Sequence, residues 1–370
     1  MDKIRFLIGG SPCTFWSISQ NKQNRETTAT GQGWELFKNF LIAKEYFKPD
    51  FFLYENNKSA AQAIKDQISH ELGVELQYIN SALVSAQNRI RFYAHNFGDV
   101  PQPTDRGVFL KDILENGNSI YEPFCIAQRG RYTGKGGKVQ QNFEPRFDGK
   151  TSTITTVQKD NMIGIPVTLS DREVDYLFRK EGRTDYGYIQ YAHHEKSKCI
   201  TANISRGVPY NVMFQEADGS LQPIYKVTDG KIEIKENLYP IKLPDGFYII
   251  RKLTVEECCR LQTLPDDYCR TASKTQAYKG LGNGWTAEVI IHLLHHALKG
   301  IPKNTKIEVI SMYDGIGTGR YCFDRLGYNN ISYFAYEIDK HAMKIANSNY
   351  PDIIQKGDAF QIRDLMTKGA

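Results

Sequence analysis

The feature that most constrains this chain is a short apolar run that ends in a glycine turn and delivers one cysteine. Arg5 to Ile8 has the composition of a buried strand, Gly9-Gly10-Ser11-Pro12 breaks it, and Cys13 follows at once. Open α/β sheets present chemistry in this way, because their binding crevice lies beyond the carboxyl ends of the strands. A lone cysteine is ordinarily a buried structural residue. Here Pro12 fixes its own φ and restricts Ser11, so the loop is pre-shaped and Cys13 is aimed out of it.

The pattern of a strand running into a polar turn recurs along the chain. Gln20 to Gly33 is rich in Asn, Thr and Gly and reads as a mobile loop over a site. Trp34 to Phe47 has apolar residues at helical spacing, and Pro49 stops it before a strand, Phe51 to Tyr54, that ends in Glu55-Asn56-Asn57. A helix over Ala60 to Leu72 and a strand over Leu76 to Val84 follow. Gln87 to Phe92 then alternates so that Arg89 and Arg91 share one face of an extended segment.

From about Pro101 glycine, proline and basic residues become frequent, and residues 101–250 are expected to form a second domain. Within it, 149–161 is threonine-rich and β-prone, and 196–207 echoes it weakly. At Arg251 the α/β character resumes, so residues 1–100 and 251–370 are expected to form one domain. Thr254 to Glu257 is a capping box. Gly280 to Gly284 reads as a turn, Thr286 to Leu298 as a helix and Ile307 to Met312 as a strand. Gly315 to Gly319 is then a glycine loop, Arg320 to Leu326 a helix, and Tyr333 to Tyr336 a strand ending at Glu337.

A net charge of +5 permits a nucleic-acid partner without requiring one. The seven cysteines form no C-x-x-C pair and no metal-ligand spacing, which points to free thiols in a reducing compartment and to no bound metal. No segment has the form of an export signal or approaches the length of a membrane span, so a cytoplasmic protein without membrane attachment is expected.

A strand, Asp314-Gly-Ile-Gly-Thr-Gly319, a helix and a second strand ending in an acid 18 residues after Gly319 follow the logic of a nucleotide site. Asp314 places a negative charge where a pyrophosphate would be repelled. A ligand with a cationic centre and an adenosine fits better, and S-adenosylmethionine has both.

Taken together, these motifs resemble those of the DNA cytosine-C5 methyltransferases. The resemblance rests on Ser11-Pro12-Cys13, Glu55-Asn56, Gln87-x-Arg89-x-Arg91, the Arg251 to Gln262 segment with Pro265-Asp266, Gly282-Asn283 and Asp314 to Gly319, and covers most of the chain outside 101–250. Val84 to Tyr93 and Gly284-Trp285 are similar to the de novo class. The family usually begins with the cofactor motif, whereas here that motif stands near the end. The resemblance therefore implies an α/β, Rossmann-like methyltransferase sheet flanked by helices, circularly permuted, with a second, smaller target-recognition domain. Thr14 and Asn57 depart from the Gln and Val common in the family.

The resemblance also implies roles. Cys13 is the thiolate that adds to C6 of cytosine, Glu55 protonates or hydrogen-bonds N3 and N4, Arg91 binds O2, and Arg89 holds Glu55 or the loop. Tyr313 lies along the adenine with Ile338 on its other face. Asp314 and the loop glycines Gly315, Gly317 and Gly319 lie near the methionine portion, and Glu337 is at the ribose. Asp358 takes the adenine amine, and Ala359 offers backbone. Pro12, Asn283 and Trp285 close the methionine end, although Trp285 reads equally well as a core aromatic. The target base must be flipped out of double-stranded DNA. Flanking bases would be read by Arg129, Arg131, Arg146, Lys150, Thr151, Thr153, Thr155 and Gln158, some contacting only phosphate. A bacterial or phage origin and a cognate restriction endonuclease are further expectations. An RNA cytosine methyltransferase and a non-catalytic DNA-binding relative are the rival readings.

Overall fold

The computed structural model describes residues 3–17, 23–115, 122–132, 139–157, 160–171, 174, 183–184, 187–188, 214–215, 221–222, 224–234 and 237–364. Two compact units divide the chain: Met1–Val108 with Cys258–Ala370, and Phe109–Glu257. The sequence suggests divisions at 100/101 and 250/251, and local bonding accounts for the difference. The Arg106 amide donates to the Leu83 carbonyl at 2.8 Å, tying 101–108 to the first unit. Arg251 and Glu257 form a buried bidentate pair (2.8 and 2.7 Å), which keeps 251–257 in the second.

The first unit is organised on a seven-stranded sheet. Its strands are β1 (Lys3–Gly9), β2 (Phe51–Asn57), β3 (Leu76–Asn80), β4 (Ile90–His95), β5 (Lys306–Met312), β6 (Ile331–Tyr336) and β7 (Ile354–Gly357). Their spatial order is β7-β6-β5-β1-β2-β4-β3, so the two central strands come from opposite ends of the chain. The ladders from β7 to β2 are parallel, whereas β4 runs antiparallel to both β2 and β3. Parallel strands are covered on both faces, which explains why β1 and β5 are nearly continuous apolar runs. The strand order turns back between β1 and β5, and crevices open beyond the carboxyl ends at such a switch point. Gly9 and Met312 are register partners there, so the loops after β1 and β5 leave the sheet side by side.

Helix α1 (Gly31–Phe47) covers one face of this sheet. Its buried Trp34, Phe37, Phe40 and Ala43 form a stripe at helical spacing, packed in one core with Tyr54, Ile310, Met312 and Tyr336. The helix starts three residues before Trp34, inside the stretch expected as loop, and stops at Lys48 in the left-handed conformation (φ 45°). β2 runs on through Glu55-Asn56-Asn57, three residues beyond the strand expected to end at Tyr54. β3 ends at Asn80, whose side chain accepts from the Ala82 amide and starts a short 3-10 turn in place of a longer strand.

Gly280 and Gly282 also differ from expectation, because they lie within a helix, Lys274–Asn283, and not in a turn. A Cβ on Gly280 would stand 2.6 Å from Ile316 Cγ2, so close packing explains the glycine there. No helix among the described residues is long and apolar enough to cross a membrane, and among those residues no group of three or more His, Cys, Asp or Glu could hold a metal.

The second unit has a seven-stranded antiparallel sheet, in the order 237–240, 231–234, 224–228, 246–252, 162–167, 124–132 and 139–146. Phe124, Ile126, Phe143, Tyr225, Val227, Ile232 and Ile250 form its core. The capping box is present: the Glu257 amide donates to Thr254 Oγ1 (3.1 Å) and the Thr254 amide to Glu257 Oε2 (2.9 Å). The described residues of 149–161 carry no strand. The next strand starts at Met162, and the echo at 196–207 lies outside the described residues.

Candidate active site

Two glycines bring the Cys13 loop hard against the strands beside it. A Cβ on Gly9 would lie 2.5 Å from the Met312 carbonyl oxygen, and one on Gly10 would lie 2.7 Å from that of Glu55. Ser11 Oγ and Tyr54 Oη are hydrogen-bonded at 2.7 Å, and Asn56 Nδ2 donates to the Ser11 carbonyl at 3.0 Å. The loop is thus tied to β2 on both sides of Glu55. Half-buried Cys13 opens a single 3-10 turn whose Trp16 and Ser17 amides return to its carbonyl. Downstream, Glu26 accepts from the Trp16 indole and the Gly33 amide (3.1 Å each), which ties the described end of the expected mobile stretch to the head of α1. Residues 20–22 of that stretch lie outside the described residues.

Strand alternation places Glu55 and Asn57 on one face of β2, opposite the Tyr54 and Asn56 side. Glu55 is buried, and both of its carboxylate oxygens are held. Arg91 Nε lies 3.1 Å from Oε1, and Trp285 Nε1 donates to Oε2 at 3.0 Å. Arg89 reaches the Gly284 carbonyl at 2.8 Å and that of Gly282 at 3.4 Å. Burial, then the like charge of Arg91, lower its guanidinium to about 9, so it remains cationic at neutral pH.

On the β5 side, Tyr313 adopts a left-handed backbone (φ 61°), uncommon for an aromatic residue. Its hydroxyl donates to the Leu36 carbonyl (2.8 Å) and accepts from Asn39 (3.0 Å), and burial pushes it up to about 12. Asp314 Oδ1 accepts from Ser311 and Tyr333 at 2.7 Å each, while Oδ2 is shielded from water and has no partner among the described residues. Burial raises this carboxyl to about 6. Glu337 accepts from the Gly315 amide on one oxygen and from the Ile338 and Asp339 amides on the other, at 2.8 Å each.

These segments surround one cavity of about 450 Å³. Cys13, Glu55, Arg89 and Arg91 line it, as do Pro12, Asn283, Trp285, Tyr313, Asp314, Gly315, Glu337, Ile338, Asp358 and Ala359. Gly317 and Gly319 are not among its lining. A Cβ on Gly317 would press on Ala346 at 3.0 Å, and one on Gly319 would meet Ile8 Cδ1 at 2.6 Å, so both glycines serve helix packing. The cavity also takes in residues without a motif in the sequence, among them Gln32, Leu36, Lys279 and Phe360. Gln32 and Leu36 sit in the first turns of α1, a position readable only once that helix starts at Gly31.

In the second unit the expected reading residues meet different fates. Thr151, expected among the residues that read flanking bases, is fully buried and has no surface to offer a base. Arg131 pairs with Glu144 (2.5 and 2.6 Å), and Arg146 forms a two-pronged pair with Asp148. The Lys150 ammonium stands 5.1 Å from the Phe109 ring centroid, and Thr155 Oγ1 donates to Asp160 at 2.8 Å. The Thr153 carbonyl accepts from Asn161, Arg129 is half-buried on 124–132, and Gln158 lies outside the described residues.

Comparison with known proteins gives a consistent family. The chain is similar to three curated relatives. It is 22% identical over 307 residues to the type II methyltransferase M.Bsp6I of Bacillus sp., covering 80% of this chain and 79% of that one. It is 24% identical over 306 residues to M1.ScrFI of Lactococcus lactis subsp. cremoris (81% and 64%), and 25% over 293 residues to M.SsoII of Shigella sonnei (77% and 61%). It thus spans less than two thirds of the latter two. A crystal structure of a Spodoptera frugiperda DNMT2 triple mutant aligns with 14% identity and a TM-score of 0.35, covering 80% of this chain and 79% of that one. A model of the C-5 cytosine-specific DNA methylases matches residues 1–299, well over half of the chain, and the chain therefore belongs to that family.

Proposed function

We propose that this chain transfers a methyl group from S-adenosylmethionine to C5 of a cytosine turned out of duplex DNA, with Cys13 as the nucleophile. The observation that carries the reading is the meeting of Cys13, Glu55 and Arg91 with the Tyr313 to Gly315 loop around one cavity. Membership of the DNA methylase family supports the same reaction.

C5 of cytosine is a poor nucleophile. Addition of the Cys13 thiolate to C6 pushes the C5–C6 electron pair through the ring toward N3, where Glu55 delivers a proton, and C5 becomes electron-rich. Arg91 both holds Glu55 and has further N–H groups for O2. Departure of the C5 proton later expels the thiolate and restores the ring. Arg89 acts on the Gly282 and Gly284 carbonyls and so holds the C-terminal end of the 274–283 helix, with Asn283, against the cavity.

The residues fit the cofactor. The cavity volume is in the range of small-molecule sites. Gly315 leaves open space at φ 65°, and Asp314 is part of the lining beside it. Tyr313, Ile338, Asp358 and Ala359 would flank the adenine, Glu337 the ribose, and Pro12, Asp314, Gly315 and Asn283 the methionine portion. Bound there, S-adenosylmethionine supplies the electrophilic methyl group that C5 takes up.

Two finer readings belong with this one. The chain is a circular permutation of the family's motif order; in support, the family match ends at residue 299, before Asp314, while β5 lies beside β1. The second unit reads the flanking bases, with Arg129, Lys150, Thr153 and Thr155 as its candidate contacts. The type II names of the relatives support a cognate restriction endonuclease as partner. The RNA reading is disfavoured by the DNA methylase match, and the non-catalytic one by the joint presence of Cys13, Glu55 and Arg91. Incubation of the protein with tritiated S-adenosylmethionine and either duplex DNA or RNA tests the reading. Label is expected in DNA alone, and label in RNA alone or in neither would overturn it.

A further inference from the structure

We propose that Trp285 is a positioning residue for Glu55, its indole N–H fixing the carboxyl group that faces the flipped base. The proposal rests on the reading of Glu55 as the acid of the reaction. It differs from the role expected of Trp285, which is to close the methionine end of the cofactor site.

An indole N–H can only donate, so Trp285 cannot compete with Glu55 for a substrate N–H. Its 3.0 Å bond to Oε2 and the 3.1 Å contact of Arg91 with Oε1 leave neither oxygen of the carboxylate free to swing. A glutamate side chain has three rotatable bonds and loses considerable entropy when held, so a fixed orientation needs such partners. The indole is itself held from behind. Arg89 binds the Gly284 carbonyl just before Trp285, and Thr286 just after it donates to Gln262 Oε1 at 2.9 Å and accepts from Ser81 Oγ at 2.9 Å. The Ala287 amide adds a bond to the Gln262 carbonyl at 2.9 Å. Trp285 is therefore presented to Glu55 by a turn clamped on both sides. This is the arrangement that keeps a catalytic group within a few tenths of an ångström of its working position.

The test separates the N–H from the ring. Trp285→Phe removes the donor, and benzothienylalanine at position 285 replaces the N–H by sulfur while keeping the bicyclic shape. For each, kcat for methyl transfer, KM for duplex, the cofactor-independent exchange of the cytosine C5 hydrogen and the calorimetric Kd for S-adenosylmethionine are measured. Both variants are expected to lose about ten- to a hundredfold in kcat and in exchange, the range set by one hydrogen bond to a charged group. The Kd for S-adenosylmethionine should stay within about twofold. A weakened Kd with unchanged kcat at saturation would make Trp285 a cofactor contact and overturn the proposal. Full activity of the benzothienylalanine protein would also overturn it, by showing that shape alone matters. An unmodified protein that neither methylates DNA nor exchanges the C5 hydrogen would refute the reading of the site itself, an outcome distinct from an active wild type with unimpaired variants.

Discussion

Replacing Asp314 by asparagine should change how the stability of the cofactor-free protein depends on pH, with a sign opposite to that usual for a carboxylate. Asp314 borders the cavity, but its Oδ2 is shielded from water without a partner among the described residues. Burial is the largest influence on this carboxyl and raises it from 3.8 to about 6; the bonds from Tyr333 and Ser311 offset part of the rise, and Glu337 adds to it. A folded-state value above the unfolded one means that the native protein binds more protons between pH 6 and 4. This contribution therefore stabilises as pH falls through about 6, and the ionised form costs the fold up to about 3 kcal/mol at neutral pH. Between about pH 7.5 and about pH 5 the wild type should gain about 1.4 kcal/mol relative to Asp314→Asn. Urea denaturation of both proteins at the two pH values gives the difference directly. Equal pH dependence in wild type and variant would refute the assignment of a buried, partly neutralised carboxylate to this position.

Three other substitutions probe the site and its support. Gly10→Ala would put a Cβ 2.7 Å from the Glu55 carbonyl, well inside ordinary contact, so the Cys13 loop must move by several tenths of an ångström. Its kcat should drop about ten- to a hundredfold with the Kd for S-adenosylmethionine unchanged, and a wild-type kcat would contradict the close approach of the Cys13 loop to β2. Glu337→Ala should weaken S-adenosylmethionine by about 1.5 to 3 kcal/mol in calorimetric titration, and an unchanged Kd would remove Glu337 from the site. Glu257→Ala removes the carboxylate that faces the buried Arg251 guanidinium and should lower stability by about 3 to 5 kcal/mol; urea denaturation unchanged from wild type would refute the importance of that pair.

What was legible in the sequence is what depends on local pattern. β1 and β5 are apolar runs cut by glycine, and both nucleotide-site logic and Cys13 follow from where they end. The helical stripe of α1 was readable from Trp34 onward, but its first turn was not, because Gly31, Gln32 and Gly33 have loop composition. Gly280 misled for the same reason: a glycine needed for contact with Ile316 looks like a glycine needed for a turn. Among the described residues β7 pairs only with β6; it has exposed Ile354 and Lys356 and carries too weak an alternation to read. Partnerships across long separations had no sequence signal. Trp285 bonds Glu55 from 230 residues away, and Tyr313 bonds Asn39 from 274. In the second unit, threonines and arginines look alike whether they face solvent, as part of Arg131 does, or are buried like Thr151.

The central claim is that one cavity joins the Cys13 nucleophile to a bound methyl donor, and nucleoside analysis with bisulfite sequencing tests it most directly. Duplex DNA is treated with S-adenosylmethionine and either wild type or Cys13→Ser, and the binding of DNA and cofactor by both proteins is measured alongside. The wild type should produce 5-methylcytosine within one sequence context, while Cys13→Ser binds both ligands and produces none. Methylation by Cys13→Ser at the wild-type rate, or a product carrying its methyl group on N4, would contradict the account.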